Sequence, residues 1–190
     1  MSVPASRRAV ALDAWLDAGA GVLERVEVVD GELVVRRVGG NPHHYLARRL
    51  AEEFERQWRG VLATAPGNWA LQLSDAGEVV SGRVPDVLVN GDLLLTEPVF
   101  VGVPQAAVEV WSPGNTLADM NAKRRDYRIA GLPVLVEAFL TDAGDVHLEW
   151  LVQRDGRWLS SAAAIGESTL DVSLPRPFTV VPNGLLRPGV

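Results

Sequence analysis

Two acidic residues, Asp86 and Glu109, stand inside apolar stretches of the chain. Strand alternation places the Glu109 carboxylate on the same face as Ala107 and Trp111, and Asp86 heads an apolar triplet directly after a proline. Charges at core positions occur mainly at functional sites. Two carboxylates on adjacent strands repel each other when ionised, and a hard divalent cation cancels that charge because it takes oxygen ligands. We therefore expect Asp86 and Glu109 to bind a divalent metal ion.

Lys123 is a third charge at a core position. On a helix it shares a face with Met120, Tyr127 and Ala130, so its amine is carried toward the core. A lysine near a metal-bound water orients or deprotonates that water, and the metal polarises a phosphoryl oxygen. Together the two acids and the lysine suit phosphodiester hydrolysis. The alternative interpretation of the same three residues is a buried structural network of ion pairs.

Two helices are expected to position these side chains. The first starts at Asn41 and Pro42, since asparagine caps free N–H groups and proline loses nothing at the first helical position, and it runs to about Arg59. The second opens on the capping box 116–119 and ends at Gly131 and Pro133. Apolar residues recur at every fourth position of the first helix and predict one buried face: Leu46, Leu50, Phe54 and Trp58.

Runs of β-branched residues between turns predict the strands. The Asp30–Gly31 pair lies between two such runs and predicts a hairpin. Three further runs, expected to be neighbours in one sheet, cover 69–73, 86–89 and 105–111. A strand over 134–140 and a meander over 146–152, 158–162 and 170–174 complete the pattern.

The length of 190 residues favours a single α/β domain, more closely an α+β arrangement with a mixed sheet flanked by helices. We expect an N-terminal helix at about 9–18, a core at about 24–140 and a C-terminal β-meander at about 146–185. The apolar fraction of 47% and the charged fraction of 22% are typical of a globular protein. The chain has no cysteine, which excludes disulfides, thiolate catalysis and cysteine-bound zinc.

The net charge of -6 argues against a general attraction to nucleic acid, so any nucleic-acid site must be locally basic. No apolar run approaches the ~20 residues that span a bilayer. Asp13 and Asp17 interrupt the stretch that follows the Arg7–Arg8 pair, which is unlike a secretion signal. We therefore expect a cytoplasmic protein.

The order and local context of these motifs resemble the Uma-two (Uma2) family of predicted endonucleases. This family is a branch of the PD-(D/E)xK superfamily, which has the restriction-endonuclease-like fold. The resemblance covers nearly the whole chain. It is carried by the stretches 27–33, 84–86 and 108–113, by His43, and by Asp119 with Lys123, Tyr127 and Gly131.

The resemblance implies that Asp86 and Glu109 hold one or two Mg²⁺ or Mn²⁺ ions, with the backbone carbonyl of Val110 as a further ligand. It also implies that Lys123 is the catalytic lysine, moved from the strand onto the helix. The chain departs from the short superfamily signature, because the position two after Glu109 is Trp111. It departs again after Gly131, where an aromatic pair is usual in the family, and this affects the rim of the site.

Three more residues become candidates through the resemblance. Glu32 is either an auxiliary metal ligand, a group that supports the ligands, or an exposed hairpin carboxylate. His43, with His44 as the alternative one position away, contacts a phosphate or orients a carboxylate, unless it is solvated surface. Tyr127 supplies a hydroxyl to the wall of the site or is a core aromatic.

The leading prediction is a metal-dependent endonuclease that cuts nucleic acid, preferentially DNA, with a metal-activated water. The alternative is a catalytically inactive module on the same fold that binds nucleic acid or protein. A serine hydrolase built on Ser112 is weaker, because the chain has no Gly-x-Ser-x-Gly elbow. A homodimer would suit a nuclease that addresses two strands. The basic residues expected to track phosphates are Lys123, Arg124, Arg125, Arg128, Arg48 and Arg49.

Overall fold

The structure of the chain, a computed structural model, describes residues 8–20, 24–37, 39–91, 98–112 and 115–187. The α-helices in this part are α1 (Leu12–Gly19), α2 (Asn41–Gln57) and α3 (Leu117–Ile129). The strands are β1 (Glu24–Val29), β2 (Glu32–Arg37), β3 (Leu62–Thr64), β4 (Trp69–Leu73), β5 (Val79–Arg83), β6 (Val87–Asn90), β7 (Phe100–Val101), β8 (Ala106–Trp111), β9 (Val134–Leu140), β10 (Val146–Arg154), β11 (Arg157–Ile165), β12 (Leu170–Val172) and β13 (Phe178–Val180).

The chain divides into two compact units. Unit 1 comprises Met1–Val38, Asn68–Val84 and Leu95–Gly102, and unit 2 comprises Gly39–Gly67, Pro85–Leu94 and Val103–Val190. The expectation of a single domain over 1–190 stays a prediction.

Unit 1 is built on a five-stranded sheet in the order β2-β1-β5-β4-β7. Its β1–β2 hairpin turns at Asp30 and Gly31, whose φ angles are 51° and 74°. Both residues have the left-handed backbone that a two-residue type I′ turn requires, which confirms the Asp-Gly prediction. Trp15 of α1 lies on this sheet, buried against Val26 and Val28, and its indole N–H donates to the Val26 carbonyl at 2.6 Å.

Unit 2 contains a six-stranded mixed sheet in the order β11-β10-β9-β8-β6-β3. All six residues of β8, which is central in this sheet, are buried. The predicted apolar face of α2 is confirmed, since Leu46, Leu50 and Phe54 are each 0% exposed, and Phe54 stacks on Trp150 at 5.9 Å between ring centroids.

A crossover helix joins the parallel pair of this sheet. β8 and β9 are parallel, and parallel neighbours need a long connection, usually a helix. That helix is α3. Its N-cap is confirmed: the Thr116 hydroxyl accepts from the Asp119 backbone N–H at 3.1 Å. After β9 the chain forms two strands of the predicted meander, β10 and β11, and β10 pairs with both β9 and β11. The third predicted strand, at 170–174, is β12, which pairs instead with β13 in a separate two-stranded sheet, and a 3-10 helix over Pro182–Leu186 follows.

Besides the third meander strand, three sequence-based details are wrong. α1 begins at Leu12 rather than about residue 9, because Val10 forms a β-bridge with Val79. The N-cap of α2 is Gly40, without a side-chain bond, and Asn41 is already helical. Segment 69–73 is not a sheet neighbour of 87–90 and 106–111: β4 belongs to the sheet of unit 1, whereas β6 and β8 belong to that of unit 2.

Candidate active site

Asp86 and Glu109 face each other at one end of a strand pair. β6 and β8 are antiparallel with Val87 opposite Val108, so the next register position places Asp86 opposite Glu109. Each residue is 2% exposed. The structure therefore brings together the two acids that the sequence singled out, and it does so in a buried setting.

The Asp86 carboxylate is held on both oxygens. Its Oδ2 accepts from the Val110 backbone N–H at 2.7 Å, and its Oδ1 lies 2.7 Å from Nε2 of His43. On the other side of the ring, Nδ1 of His43 is 3.2 Å from the Ser112 hydroxyl. A carboxylate only accepts, so Nε2 carries the hydrogen, and in the neutral imidazole the Ser112 hydroxyl then donates to Nδ1. His43 thus fixes the orientation of Asp86.

The Glu109 carboxylate is held by α3. Lys123 Nζ lies 2.9 and 2.8 Å from its two oxygens, and the Tyr127 hydroxyl donates to Oε1. The two side chains are four positions apart and therefore share a helical face, as the sequence predicted. Lys123 is largely buried, with 14% of its side chain exposed.

Burial is the main cause that raises the pKa of Glu109 from 4.5 to about 7. The Asp86 carboxylate also raises this pKa, whereas Lys123 and Tyr127 lower it. The raised pKa therefore reflects burial of the carboxylate, since the lowering by Lys123 is larger than the raising by Asp86. A divalent cation is the usual means of neutralising such a pair.

The oxygen atoms near the pair fit a hard cation. Successive backbone groups of a strand alternate in direction, and the N–H and C=O of one residue point to the same side. The Val110 N–H points to Asp86, so the Val110 carbonyl faces the same side. Asp86, Glu109 and this carbonyl would offer an all-oxygen set of the kind that Mg²⁺ prefers. Within the described residues no group of three or more His, Cys, Asp and Glu side chains has metal-binding geometry.

A family model named Uma2 and described as "Putative restriction endonuclease" matches residues 13–180. The chain belongs to the Uma2 family. A crystal structure titled a putative nuclease belonging to DUF820 from Anabaena variabilis ATCC 29413 has the same fold, with a TM-score of 0.58 and 12% identity. The match covers 86% of this chain and 89% of that one. No curated protein matches the chain. None of the described helices has the length and apolar character needed to cross a membrane.

Sequence reasoning missed a second acid on the sheet of this Uma2 protein. Glu137 on β9 is 0% exposed and lies in register with Glu109. Arg124 binds it through Nε at 2.8 Å and through a second guanidinium nitrogen, and this hydrogen bond raises the pKa of Arg124. The Arg124 guanidinium is thus bound to a buried carboxylate, and its expected phosphate contact stays a prediction. An acid within the apolar run 134–140 is the signal that would have found this pair.

A second missed signal is the type of basic residue at the site. The chain has 18 basic residues, and Lys123 is its only lysine. Arginine and lysine are not interchangeable, because arginine is larger, planar and always charged. The single lysine of the chain therefore lies at the candidate site, where it contacts Glu109.

The other predicted arginines lie on unit 2 and make contacts within the chain. Their role in phosphate binding stays a prediction. Arg48 and Arg49 both contact Glu52, Arg125 contacts Asp126, and Arg128 donates to the Gly156 carbonyl at 3.2 Å.

The remaining candidates from the sequence are His44 and Glu32. His44 is exposed, so His43 is the histidine at Asp86. Glu32 belongs to unit 1, where its exposed carboxylate lies 2.6 Å from Arg8, and its part in a metal site stays a prediction. Unit 1 also has a buried ion pair of its own, between Glu27 and Arg83 at 2.7 Å.

Proposed function

We propose that this Uma2 protein is a divalent-metal-dependent endonuclease that hydrolyses phosphodiester bonds of DNA. One observation carries the proposal: Asp86, directly before β6, lies opposite Glu109 on β8, and Lys123 contacts the Glu109 carboxylate. Two acids and a lysine around one point are the groups that phosphodiester hydrolysis needs.

Asp86, Glu109 and the Val110 carbonyl would hold one or two Mg²⁺ or Mn²⁺ ions. When bound, the metal supplies a water of lowered pKa and polarises a phosphoryl oxygen. Lys123, an ammonium with three N–H donors, orients the attacking water and stabilises the charge that develops on the phosphoryl oxygens.

The polar groups behind the ligands keep them in place. His43 fixes Asp86, and Tyr127 donates to Glu109. Such supporting groups typically change metal affinity or activity by roughly 10–100-fold when removed. Both residues are therefore proposed as positioning residues rather than as groups that react with the substrate.

DNA is proposed as the substrate on the description of the family as restriction endonucleases. Because the net charge is -6, binding has to depend on a local basic surface. Arg125, whose side chain is 58% exposed, lies two residues after Lys123 on α3 and is the first candidate for such a contact.

A catalytically inactive binding module is the second candidate. It is favoured by the fact that Asp86 and Glu109 already have hydrogen-bond partners within the chain on all four oxygens. In that case the three residues are a structural network, and Mg²⁺ or Mn²⁺ has no effect on the melting temperature. A metal that binds the native state must raise it.

The test is a cleavage assay on DNA and RNA with Mg²⁺ or Mn²⁺, run on the wild type, Asp86→Ala and Lys123→Ala. Asp75→Ala is the matched control, because Asp75 is an exposed acid in a turn of unit 1. We expect metal-dependent DNA cleavage by the wild type and the control and its loss in both site variants. Cleavage that survives in both site variants contradicts the assignment.

A further inference from the structure

Strand β2 leaves an apolar surface uncovered. Among the described strands of unit 1, β2 pairs with β1 alone and forms an edge of the sheet. Leu33 is 43% exposed and Val35 is 58% exposed. They lie opposite Val28 and Val26, which are buried, so all four share one face of the sheet. The apolar face therefore continues onto the edge strand without cover from the described residues.

The backbone of β2 is suited to a further strand. The two-residue turn makes Val29 and Glu32 a hydrogen-bonded pair, and such pairs alternate along an antiparallel ladder. Residues 32, 34 and 36 thus direct their peptide groups to β1, and residues 33, 35 and 37 direct theirs outward. An edge of this kind is a template for pairing with another chain.

We propose that β2 pairs antiparallel with β2 of a second copy of this chain, around a two-fold axis at Val34. In this register Leu33 lies opposite Val35 of the second copy, and the reverse pair is equivalent. The two pairs join the exposed apolar residues of both copies into one patch. A two-fold interface requires such a self-complementary surface.

Charge selects the same register. Glu32 lies opposite Arg36 of the second copy, and opposite charges across an antiparallel pair stabilise it. Within one chain Glu32 contacts Arg8 at 2.6 Å and Arg36 contacts Glu27 at 3.4 Å, so the pairing extends existing ion pairs. The side chains of Glu32 and Arg36 remain 63% and 35% exposed.

Neighbouring registers lose these matches. Two residues that face each other across the interface must both direct their peptide groups to the second copy or both direct them to β1. The nearest alternative positions of the two-fold axis are therefore residues 33 and 35. With the axis at 35, Leu33 lies opposite Arg37 and Val34 opposite Arg36. With the axis at 33, Val35 lies opposite Gly31 and Glu32 opposite Val34. Only the axis at Val34 places both exposed apolar residues, Leu33 and Val35, opposite an apolar residue and also places Glu32 opposite a basic one.

The first test is disulfide cross-linking, which the absence of cysteine in the chain makes clean. Val34→Cys places two thiols at the axis in a non-hydrogen-bonded pair, where the Cα atoms are roughly 4.5 Å apart. Val35→Cys is the matched control: its copies sit diagonally at roughly 7–8 Å, beyond ready reach of a disulfide. We expect Val34→Cys, and not Val35→Cys, to give a covalent dimer on oxidation.

The second test is the molar mass in solution at increasing protein concentration, for the wild type and Val35→Lys. Leu159→Lys is the control, since Leu159 is 46% exposed on β11, the edge strand of the other sheet. We expect the wild type and Leu159→Lys to dimerise, and Val35→Lys to stay a folded monomer whose melting temperature does not depend on protein concentration. A monomeric wild type, equal dimerisation of Val35→Lys, or equal cross-linking of both cysteine variants overturns the proposal. If Val35→Lys does not fold, the wild-type mass and the cysteine pair still decide. None of these outcomes depends on nuclease activity.

Discussion

At the scale of single residues, Glu109 is the position where the charges of the site meet. Its carboxylate is buried opposite Asp86 and is bound by Lys123 and Tyr127. Of these neighbours, the acid opposes its ionisation, and the amine and the hydroxyl favour it. The balance is set by burial, which raises the pKa to about 7.

This pKa predicts how the stability of the metal-free protein depends on pH. The folded-state pKa of about 7 lies above the ordinary 4.5, so Glu109 binds a proton more tightly in the folded state. Its contribution to stability is complete below about pH 4.5 and is lost as the pH rises to about 7. Urea unfolding in EDTA should show this decrease for the wild type and a flatter profile for Glu109→Gln. If the stability of Glu109→Gln decreases with pH as steeply as that of the wild type, the pH dependence does not arise from Glu109.

The single lysine predicts a strict requirement for its side chain. Lys123→Arg keeps the charge, but the larger planar guanidinium does not occupy the position of a compact amine beside Glu109. We expect kcat for DNA cleavage to fall by roughly 10²-fold or more, with KM little changed, because the donor acts mainly in the transition state. Arg125→Lys is the control and should keep its kcat. A wild-type kcat for Lys123→Arg would show that the reaction does not require the lysine side chain.

At the scale of elements, α2 positions Asp86, a proposed metal ligand, through its first turn. His43 lies there and contacts Asp86, whereas the adjacent His44 is exposed. We expect His43→Ala to weaken Mn²⁺ binding by roughly 10–100-fold, as removal of a supporting group does. Titration of Mn²⁺ into His43→Ala and into His44→Ala compares the two. Equal affinities in both variants would show that the histidine does not position Asp86.

Helix α3 is held on the sheet by the Arg124–Glu137 pair. Removing one partner of a buried pair leaves an uncompensated charge and costs about 3–5 kcal/mol. Since 28% of the Arg124 side chain is exposed, we expect Arg124→Ala to lower the free energy of unfolding by about 3 kcal/mol, the low end of that range. Arg125→Ala removes an exposed contact and should change it by less than about 1 kcal/mol. Chemical denaturation measures both, and equal values would contradict a structural role for the pair.

Signals from neighbouring residues predicted most helices, strands and turns correctly. The assignment of strands to sheets was not predicted correctly. The Asp30–Gly31 turn, the Thr116 cap and the apolar face of α2 each depend on residues close in sequence, and the structure has all three. Sheet membership depends on pairing between distant segments. The sequence therefore grouped β4 with β6 and β8, although β4 pairs with β5 and β7 in the sheet of unit 1.

The candidate site was predicted from the same logic, up to a limit. Asp86, Glu109 and Lys123 break the apolar pattern and are brought together as expected. The partners of these residues were harder to identify, because a hydrogen bond from His43 to Asp86 leaves no trace in local periodicity. Glu137 breaks the apolar pattern in the same way as Glu109. The sequence does not show, however, that Arg124 binds Glu137 rather than a phosphate.

At the scale of the whole molecule, the chain is an acidic Uma2 protein whose site residues come from distant parts of the sequence. The β8–α3–β9 crossover brings Lys123 onto Glu109, and the β6–β8 pairing brings Asp86 opposite it. Both contacts lie within unit 2. The metal centre is the claim on which the proposed function depends.

Binding of Mn²⁺, followed by calorimetry or by the electron paramagnetic resonance of the ion, tests this centre most directly. The proteins compared are the wild type, Asp86→Asn and Glu109→Gln, with Asp75→Asn as the exposed control. We predict saturable binding of one or two ions to the wild type and the control, and its loss in both site variants. Binding that is absent from the wild type, or equal in all four proteins, would contradict a metal centre at Asp86 and Glu109.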